Sequence, residues 1–277
     1  MITVPRITLD ALIELYDVFF IDQFGVLRDD RGAYDGATSA LQRVKDAGKT
    51  VVVLSNSGRS GEYNAKRLVK LGFSASSFDH FVTSGDVAFS ILSAADSPIK
   101  SGALCFTISS GDDTNLAERL GLKVAKTALE ADLLVISGSE AERISMDDYR
   151  QLLQPAAQRQ LPCFCTNPDI HKLVGGSIAP GAGSIAKLYE SLGGDVRWLG
   201  KPYREIYDFA LTLASAADRR QVVCIGDSVE HDILGAQGVG LASVLVETGV
   251  LSSSTEAEKQ DLFLSVATPT YLLSAFR

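Results

Sequence analysis

The feature that most constrains this chain is a rhythm in which short β-branched or aromatic runs alternate with stretches of helical periodicity. Val18–Ile21, Val51–Leu54, Leu133–Ile136, Val222–Ile225 and Val244–Val246 are apolar at every position. Runs with no polar alternation, bounded by charge or Gly, read as strands buried on both faces. Between them, Ala40, Leu41, Val44 and Ala47 recur at helical spacing, with Gly48 as a C-terminal stop. Ile206, Phe209, Ala210 and Leu213 repeat the i, i+3, i+4, i+7 pattern. Strands of this kind joined by helices imply parallel βαβ units and an α/β class.

The 277 residues suffice for one large domain or two modest ones. Residues 86–176 carry their own strand runs, Ala103–Thr107, Leu133–Ser137 and Cys163–Thr166, and their own helix, Met146 to Gln160. Joints rich in Gly, Ser and Asp flank the stretch. The expected organisation is an inserted α/β domain over 86–176 and a first domain discontinuous over 1–85 and 177–277. A net charge of −8 argues against a basic nucleic-acid footprint. The first residues lack a secretory pattern, and no apolar run approaches the roughly 20 residues that span a bilayer. A cytoplasmic protein with no membrane or nucleic-acid partner is therefore expected. Cys105, Cys163, Cys165 and Cys224 lie in or beside apolar runs and are expected as buried core thiols. Cys163-Phe164-Cys165 has no second pair nearby to complete a zinc site.

In open parallel sheets, ligands sit at the carboxyl ends of the strands. The first run ends on Asp22-Gln23-Phe24-Gly25, the second on Ser55-Asn56-Ser57, the run Val196–Leu199 on Gly200-Lys201-Pro202, and a later one on Gly226-Asp227, with Asp232 following. Any one of these is commonplace, since an acid after a strand is often a loop residue or a helix cap. Together they suit phosphoryl transfer, which rests on positioning and charge stabilisation. A carboxylate, Asp22, can attack phosphorus and form an aspartyl-phosphate. Phosphate and carboxylate repel, so a cation must stand between them. Mg²⁺ takes one or two carboxylates plus phosphate and water. Asp22 and Asp227 would supply the carboxylates, with Asp232 holding a bound water. Lys201 would add a point charge and keep the nucleophile ionised. Ser55 would donate to phosphate oxygens.

This motif order resembles the haloacid dehalogenase superfamily, most of whose members are phosphatases, and more narrowly its NagD-like class IIA branch. The supporting strings are Leu54-Ser55-Asn56-Ser57, Thr166-Asn167-Pro168-Asp169, Pro180-Gly181-Ala182-Gly183, Gly200-Lys201-Pro202, and Gly226-Asp227 through Asp232-Ile233-Leu234-Gly235-Ala236. The resemblance implies a Rossmann-like core with an inserted α/β cap that closes over the site. It assigns Asp22, Ser55 and Lys201 to catalysis, and Ser55, Asn56, Lys201, Asn167 and Asp169 to phosphate or substrate. Asp22, the Phe24 carbonyl, Asp227 and Asp232 would form the metal site. By analogy, class II relatives often form homodimers through the cap. His171, a lone histidine near the Thr166–Asp169 loop, is expected at the surface.

One position departs from the pattern. Superfamily phosphatases usually carry a second Asp two residues after the nucleophile, where it protonates the leaving oxygen and then activates water. Here that position is Phe24. A phenylalanine transfers no proton, and general acid–base catalysis is typically worth about 10²–10⁴-fold. The expected activity is a Mg²⁺-dependent phosphatase of small phosphorylated metabolites, such as sugar phosphates or nucleotides. It would be slow, confined to activated leaving groups, or served by a substitute acid such as Glu230 or His231. Two alternatives stay open. One is a phosphometabolite-binding sensor with little turnover. The other is a metal-independent dehalogenase, because dehalogenases of the superfamily carry Tyr at this position.

Overall fold

The computed structural model describes residues 2–111, 113–174 and 177–277. The chain divides into two compact units, one of residues 1–55, 61–82 and 201–277, the other of 56–60 and 83–200.

The first unit is built on a six-stranded sheet. In chain order its strands are β1 (Val18–Asp22), β2 (Thr50–Ser55) and β3 (His80–Thr83), then β11 (Val222–Gly226), β12 (Ala242–Val246) and β13 (Tyr271–Leu273). Their spatial order is β13-β12-β11-β1-β2-β3. Strands β1 and β11 are central, and every residue of both is buried, as a parallel sheet covered on both faces requires. From β1 the chain steps outward through β2 to β3, and from β11 it steps the other way. The reversal falls between β1 and β11, the switch point at which α/β sheets leave a crevice. The register pairs Ile21 with Ile225, so Asp22 and Gly226-Asp227 emerge side by side.

Helices cover this sheet with the faces their periodicity dictates, with one revision. Ala37–Asp46 buries Ala37, Ala40, Leu41 and Val44, and its last turn carries Arg43 and Lys45, which complement the helix dipole. Ala47 lies past the helix end and is exposed. Arg204–Leu213 buries Ile206 and Ala210 of the expected stripe, with Tyr207 and Leu211 beside them in place of Phe209 and Leu213, and Leu213 is 40% exposed. The Tyr207 hydroxyl donates to the His231 carbonyl at 3.1 Å, an acceptor on the inward side.

The second unit has a five-stranded parallel sheet. Its strands are β4 (Leu104–Ile108), β5 (Lys123–Val124), β6 (Leu133–Ile136), β7 (Cys163–Cys165) and β10 (Val196–Trp198), in the order β10-β7-β6-β4-β5. An antiparallel hairpin of β8 (His171–Val174) and β9 (Ser177–Pro180) accompanies it. Helix Met146–Gln158 starts on a capping box, with Ser145 and Asp148 bonding reciprocally. It ends two residues before the expected Gln160, which adopts φ +53°. Tyr149, Leu153 and Ala157 of this helix join Leu134, Ile136, Ile185 and Tyr189 in the unit's core.

All four cysteines are free and buried. Burial pushes Cys105 up to about 11 and Cys165 to about 12, so both stay protonated at neutral pH. His171 is exposed, as expected. Among the described residues no helix is long and apolar enough to cross a membrane.

Candidate functional site

The carboxyl ends of β1 and β11 bring together side chains that are far apart in sequence. Oxygens of Asp22, Asp227 and Asp232 lie within 4.8 Å of one another, and all three residues are buried. Lys201 Nζ donates to Asp22 Oδ1 at 2.5 Å and to Asp232 Oδ1 at 2.7 Å. Asp232 Oδ2 accepts from the Ser228 backbone N–H at 3.1 Å. Both Asp232 oxygens are thus engaged by protein donors. These bonds fix Asp232 beside the lysine and the end of β11.

Asp227 is held by a different device. Its Oδ2 accepts from the Val250 N–H at 2.8 Å, and Thr248 Oγ1 donates to the Gly25 carbonyl at 2.6 Å. The loop after β12 is thereby tied to the turn after β1. Two glycines make this approach feasible. A Cβ on Gly25 would stand 2.0 Å from Asp227 Oδ2, and one on Gly249 would stand 1.9 Å from it. Both also adopt positive φ, +89° and +73°, which side-chain-bearing residues rarely do. Gly25 was legible as a turn residue after Asp22. The Thr248–Val250 clamp was not, because nothing local in that loop signals a contact with Asp227.

Electrostatics show which partner this cluster suits. Burial lifts the Asp22 carboxyl to about 7; Lys201 opposes the rise and Asp232 adds to it. Asp227 is driven well above the carboxylate range, first by burial and then by Asp22 and Asp232. Lys201 shifts upward, since Asp22 and Asp232 outweigh the burial that disfavours its charge. The lysine favours the ionised form of Asp22, the direction expected from the sequence, while burial works against it. The two pulls are consistent, because three carboxylates share one ammonium. A cluster of hard oxygen donors with excess negative charge suits a divalent cation such as Mg²⁺. Such an ion would restore the ionised form of the acids.

Ser55, at the end of β2, is buried, and its hydroxyl accepts from Gln23 Nε2 at 3.5 Å. Gln23 was not singled out from the sequence, although it directly follows Asp22. Phe24 is half-buried, and the Arg28 guanidinium lies over its ring, 5.0 Å from the centroid. Glu230 is exposed and its carboxylate accepts from the Ser228 hydroxyl at 3.4 Å. His231 Nδ1 lies 3.3 Å from that hydroxyl.

The remaining predicted residues belong to the second unit. Asn56 Nδ2 donates to Asp169 Oδ1 at 2.8 Å, and Asn56 Oδ1 accepts from the Ser84 hydroxyl at 3.3 Å. Asn167 Oδ1 accepts from the Asp169 N–H at 3.2 Å, which closes the Thr166–Asp169 turn on itself. Asn56, Asn167 and Asp169 form one hydrogen-bonded group that organises this loop.

Comparison with known proteins agrees with this geometry. A family model described as haloacid dehalogenase-like hydrolase matches residues 19–123, and a second, HAD-hydrolase-like model matches 198–276. Mouse chronophin is 31% identical over 260 residues, covering 90% of this chain and 86% of its own length. The D-glycerol 3-phosphate phosphatase of Mycobacterium tuberculosis is 28% identical over 244 residues, 88% of this chain and 66% of that enzyme. The structure of a glycerol phosphate phosphatase from Mycobacterium tuberculosis in complex with magnesium superposes with a TM-score of 0.74 at 26% identity, covering 96% of this chain and 77% of that one. A haloacid dehalogenase-like hydrolase from Brucella suis superposes with a TM-score of 0.84 at 29% identity over 99% of both chains.

Proposed function

This chain belongs to the haloacid dehalogenase-like hydrolases, in their NagD-like class IIA branch, and from that premise we propose that it is a Mg²⁺-dependent phosphatase of small phosphorylated metabolites. The observation that carries the reading is the buried set Asp22, Asp227 and Asp232 around a single lysine. The names of the relatives, glycerol phosphate phosphatase and sugar phosphatase among them, support the substrate class.

Asp22, Asp227 and the Phe24 carbonyl would hold the ion. When bound, it supplies positive charge between the Asp22 carboxylate and the phosphoryl oxygens. A carboxylate oxygen of Asp22 attacks phosphorus, the P–O bond to the leaving alcohol breaks, and an aspartyl-phosphate forms. Lys201, fixed by Asp232, steadies the charge that develops on the phosphoryl group. Ser55 donates a hydrogen bond to a phosphoryl oxygen. Water then cleaves the acyl phosphate and regenerates Asp22. With Phe24 in place of a proton donor, the leaving alkoxide takes its proton from solvent, which favours good leaving groups. The same reading makes the inserted segment a cap that defines the substrate, with Asn167 and Asp169 as its contacts.

The buried three-acid cluster supports this route over metal-free dehalogenation, since it calls for a cation. The test is a screen of phosphorylated metabolites and p-nitrophenyl phosphate with Mg²⁺, beside an EDTA control. Phosphate release that requires Mg²⁺ is the expected result. Halide release from haloacids unaffected by EDTA would overturn it. Tight metabolite binding without turnover would instead favour the sensor reading, which Phe24 alone recommends.

A further inference from the structure

Phe24 has a companion. The turn that follows Asp22 folds back on itself: Leu27 and Arg28 N–H groups both donate to the Gln23 carbonyl, at 3.0 and 3.2 Å, and Gly25 N–H donates to the Arg28 carbonyl at 2.8 Å. Arg28 is thus one backbone hydrogen bond from Gly25, the residue packed against the Asp227 carboxylate. Its guanidinium is laid over the Phe24 ring. Among the described residues, it has no hydrogen-bond acceptor. Its Nε is buried without a partner, and the nearby acids Asp30 and Asp29 act on it through space, with no ion pair to it among the described residues. Asp29 and Asp30 follow in the same turn, but Asp29 Oδ1 is engaged by the Arg31 and Gly32 N–H groups. The other nearby cation, Arg67, is exposed and lies over Tyr63.

An arginine carries five donors in a planar fork suited to carboxylate, and it stays charged in proteins. A half-buried guanidinium that is stacked, preorganised and unpaired is an incomplete anion site. The Phe24 ring supports the cation without neutralising it. We propose that Arg28 is a specificity-determining contact for a second anionic group on the substrate, so that the enzyme selects phosphomonoesters bearing a carboxylate over otherwise equal ones that lack it. This rests on the phosphatase reading above and narrows its substrate class.

The test uses a matched pair of probes, 3-phosphoglycerate and glycerol 3-phosphate, which differ in a carboxylate against a hydroxymethyl group. With Mg²⁺, the wild-type protein should favour 3-phosphoglycerate in kcat/KM by roughly tenfold or more, the range of a charge-assisted hydrogen bond. In Arg28→Gln that ratio should collapse towards one, mainly through KM, and Arg28→Lys should retain part of it. Phe24→Leu, which removes the ring beneath the guanidinium, should shrink the ratio as well and serves if Arg28→Gln does not fold. An equal ratio in wild type and variants overturns the proposal. If neither probe is hydrolysed, the phosphatase reading has failed on its own, and calorimetric binding of the same two probes decides this one. Preferential binding of 3-phosphoglycerate that is lost in Arg28→Gln supports it, and indifference to the substitution overturns it.

Discussion

The Lys201 ammonium is 2.5 Å from Asp22 and 2.7 Å from Asp232, and all three groups are buried. The lysine is the sole cation among the described side chains bonded to these acids, so its removal exposes the whole cluster to its own repulsion. Lys201→Met is expected to destabilise the fold by about 3–5 kcal/mol, the usual cost of breaking a buried charge pair. Thermal melts in EDTA and in Mg²⁺ check this. The loss should be smaller with the metal, because a divalent cation offsets part of the missing charge.

Asp22→Asn is nearly isosteric and removes the attacking oxygen's charge. Hydrolysis of p-nitrophenyl phosphate should fall by at least about 10³-fold. The metal-free melting temperature should hold or rise, since one of three crowded carboxylates is gone. Activity surviving this change would falsify the nucleophile assignment.

Acid and metal should compete for the same site. Burial raises Asp22 from 3.8 to about 7 in the metal-free chain. A carboxyl with a raised folded-state pKa binds its proton more tightly folded than unfolded. Its contribution is therefore full below about pH 4 and is lost as pH climbs through about 7. Without metal, the melting temperature should drop between about pH 5 and pH 8. Millimolar Mg²⁺ should remove most of the drop, as read by calorimetry at each pH. A metal-free melting temperature that does not depend on pH over this range would remove the basis for the raised pKa.

Gly25→Ala places a Cβ 2.0 Å from Asp227 Oδ2 at a φ of +89°. The backbone strain alone is expected to destabilise by about 1–3 kcal/mol. The larger effect should be on Mg²⁺ affinity, because Asp227 must swing away from the ion. Calorimetric titration of Mg²⁺ into the folded variant should show binding weakened roughly tenfold or more, about 1.4 kcal/mol.

Phe24→Asp returns a proton donor to the position where related phosphatases carry one. Turnover of a poor-leaving-group substrate, such as an alkyl phosphate, should rise by about 10²-fold, within the usual range for acid–base catalysis. Activated aryl phosphates should gain far less, since their leaving groups need no proton. An equal gain on both would show that the new carboxylate acts by some route other than proton transfer.

Much of the site is legible in the sequence because its residues close apolar runs. Val18–Ile21 before Asp22 and Val222–Ile225 before Gly226-Asp227 mark strand ends locally, and parallel strands present their carboxyl ends together. Ser55 and Lys201 are legible for the same reason. The clamp on Asp227 is not, since Thr248 and Gly25 are 223 positions apart and neither looks unusual alone. The inward face of helix Arg204–Leu213 was misread for a related reason. Periodicity fits the stripe through Phe209 and Leu213 as well as the one through Tyr207 and Leu211. Tertiary packing selects between them, and the Tyr207 hydroxyl meets an acceptor at His231.

By itself, then, the sequence determined the α/β class, the strand ends and the identity of the acids that gather there, because burial pattern and strand termination are local properties of the chain. The tertiary structure decided how those acids are charged and held. Burial lifts Asp22 to about 7, Asp232 accepts a hydrogen bond from Lys201, and the Arg28 guanidinium lies over the Phe24 ring. Each of these depends on desolvation or on a contact made by folding, since a charge feels the distance and dielectric around it rather than its place in the chain.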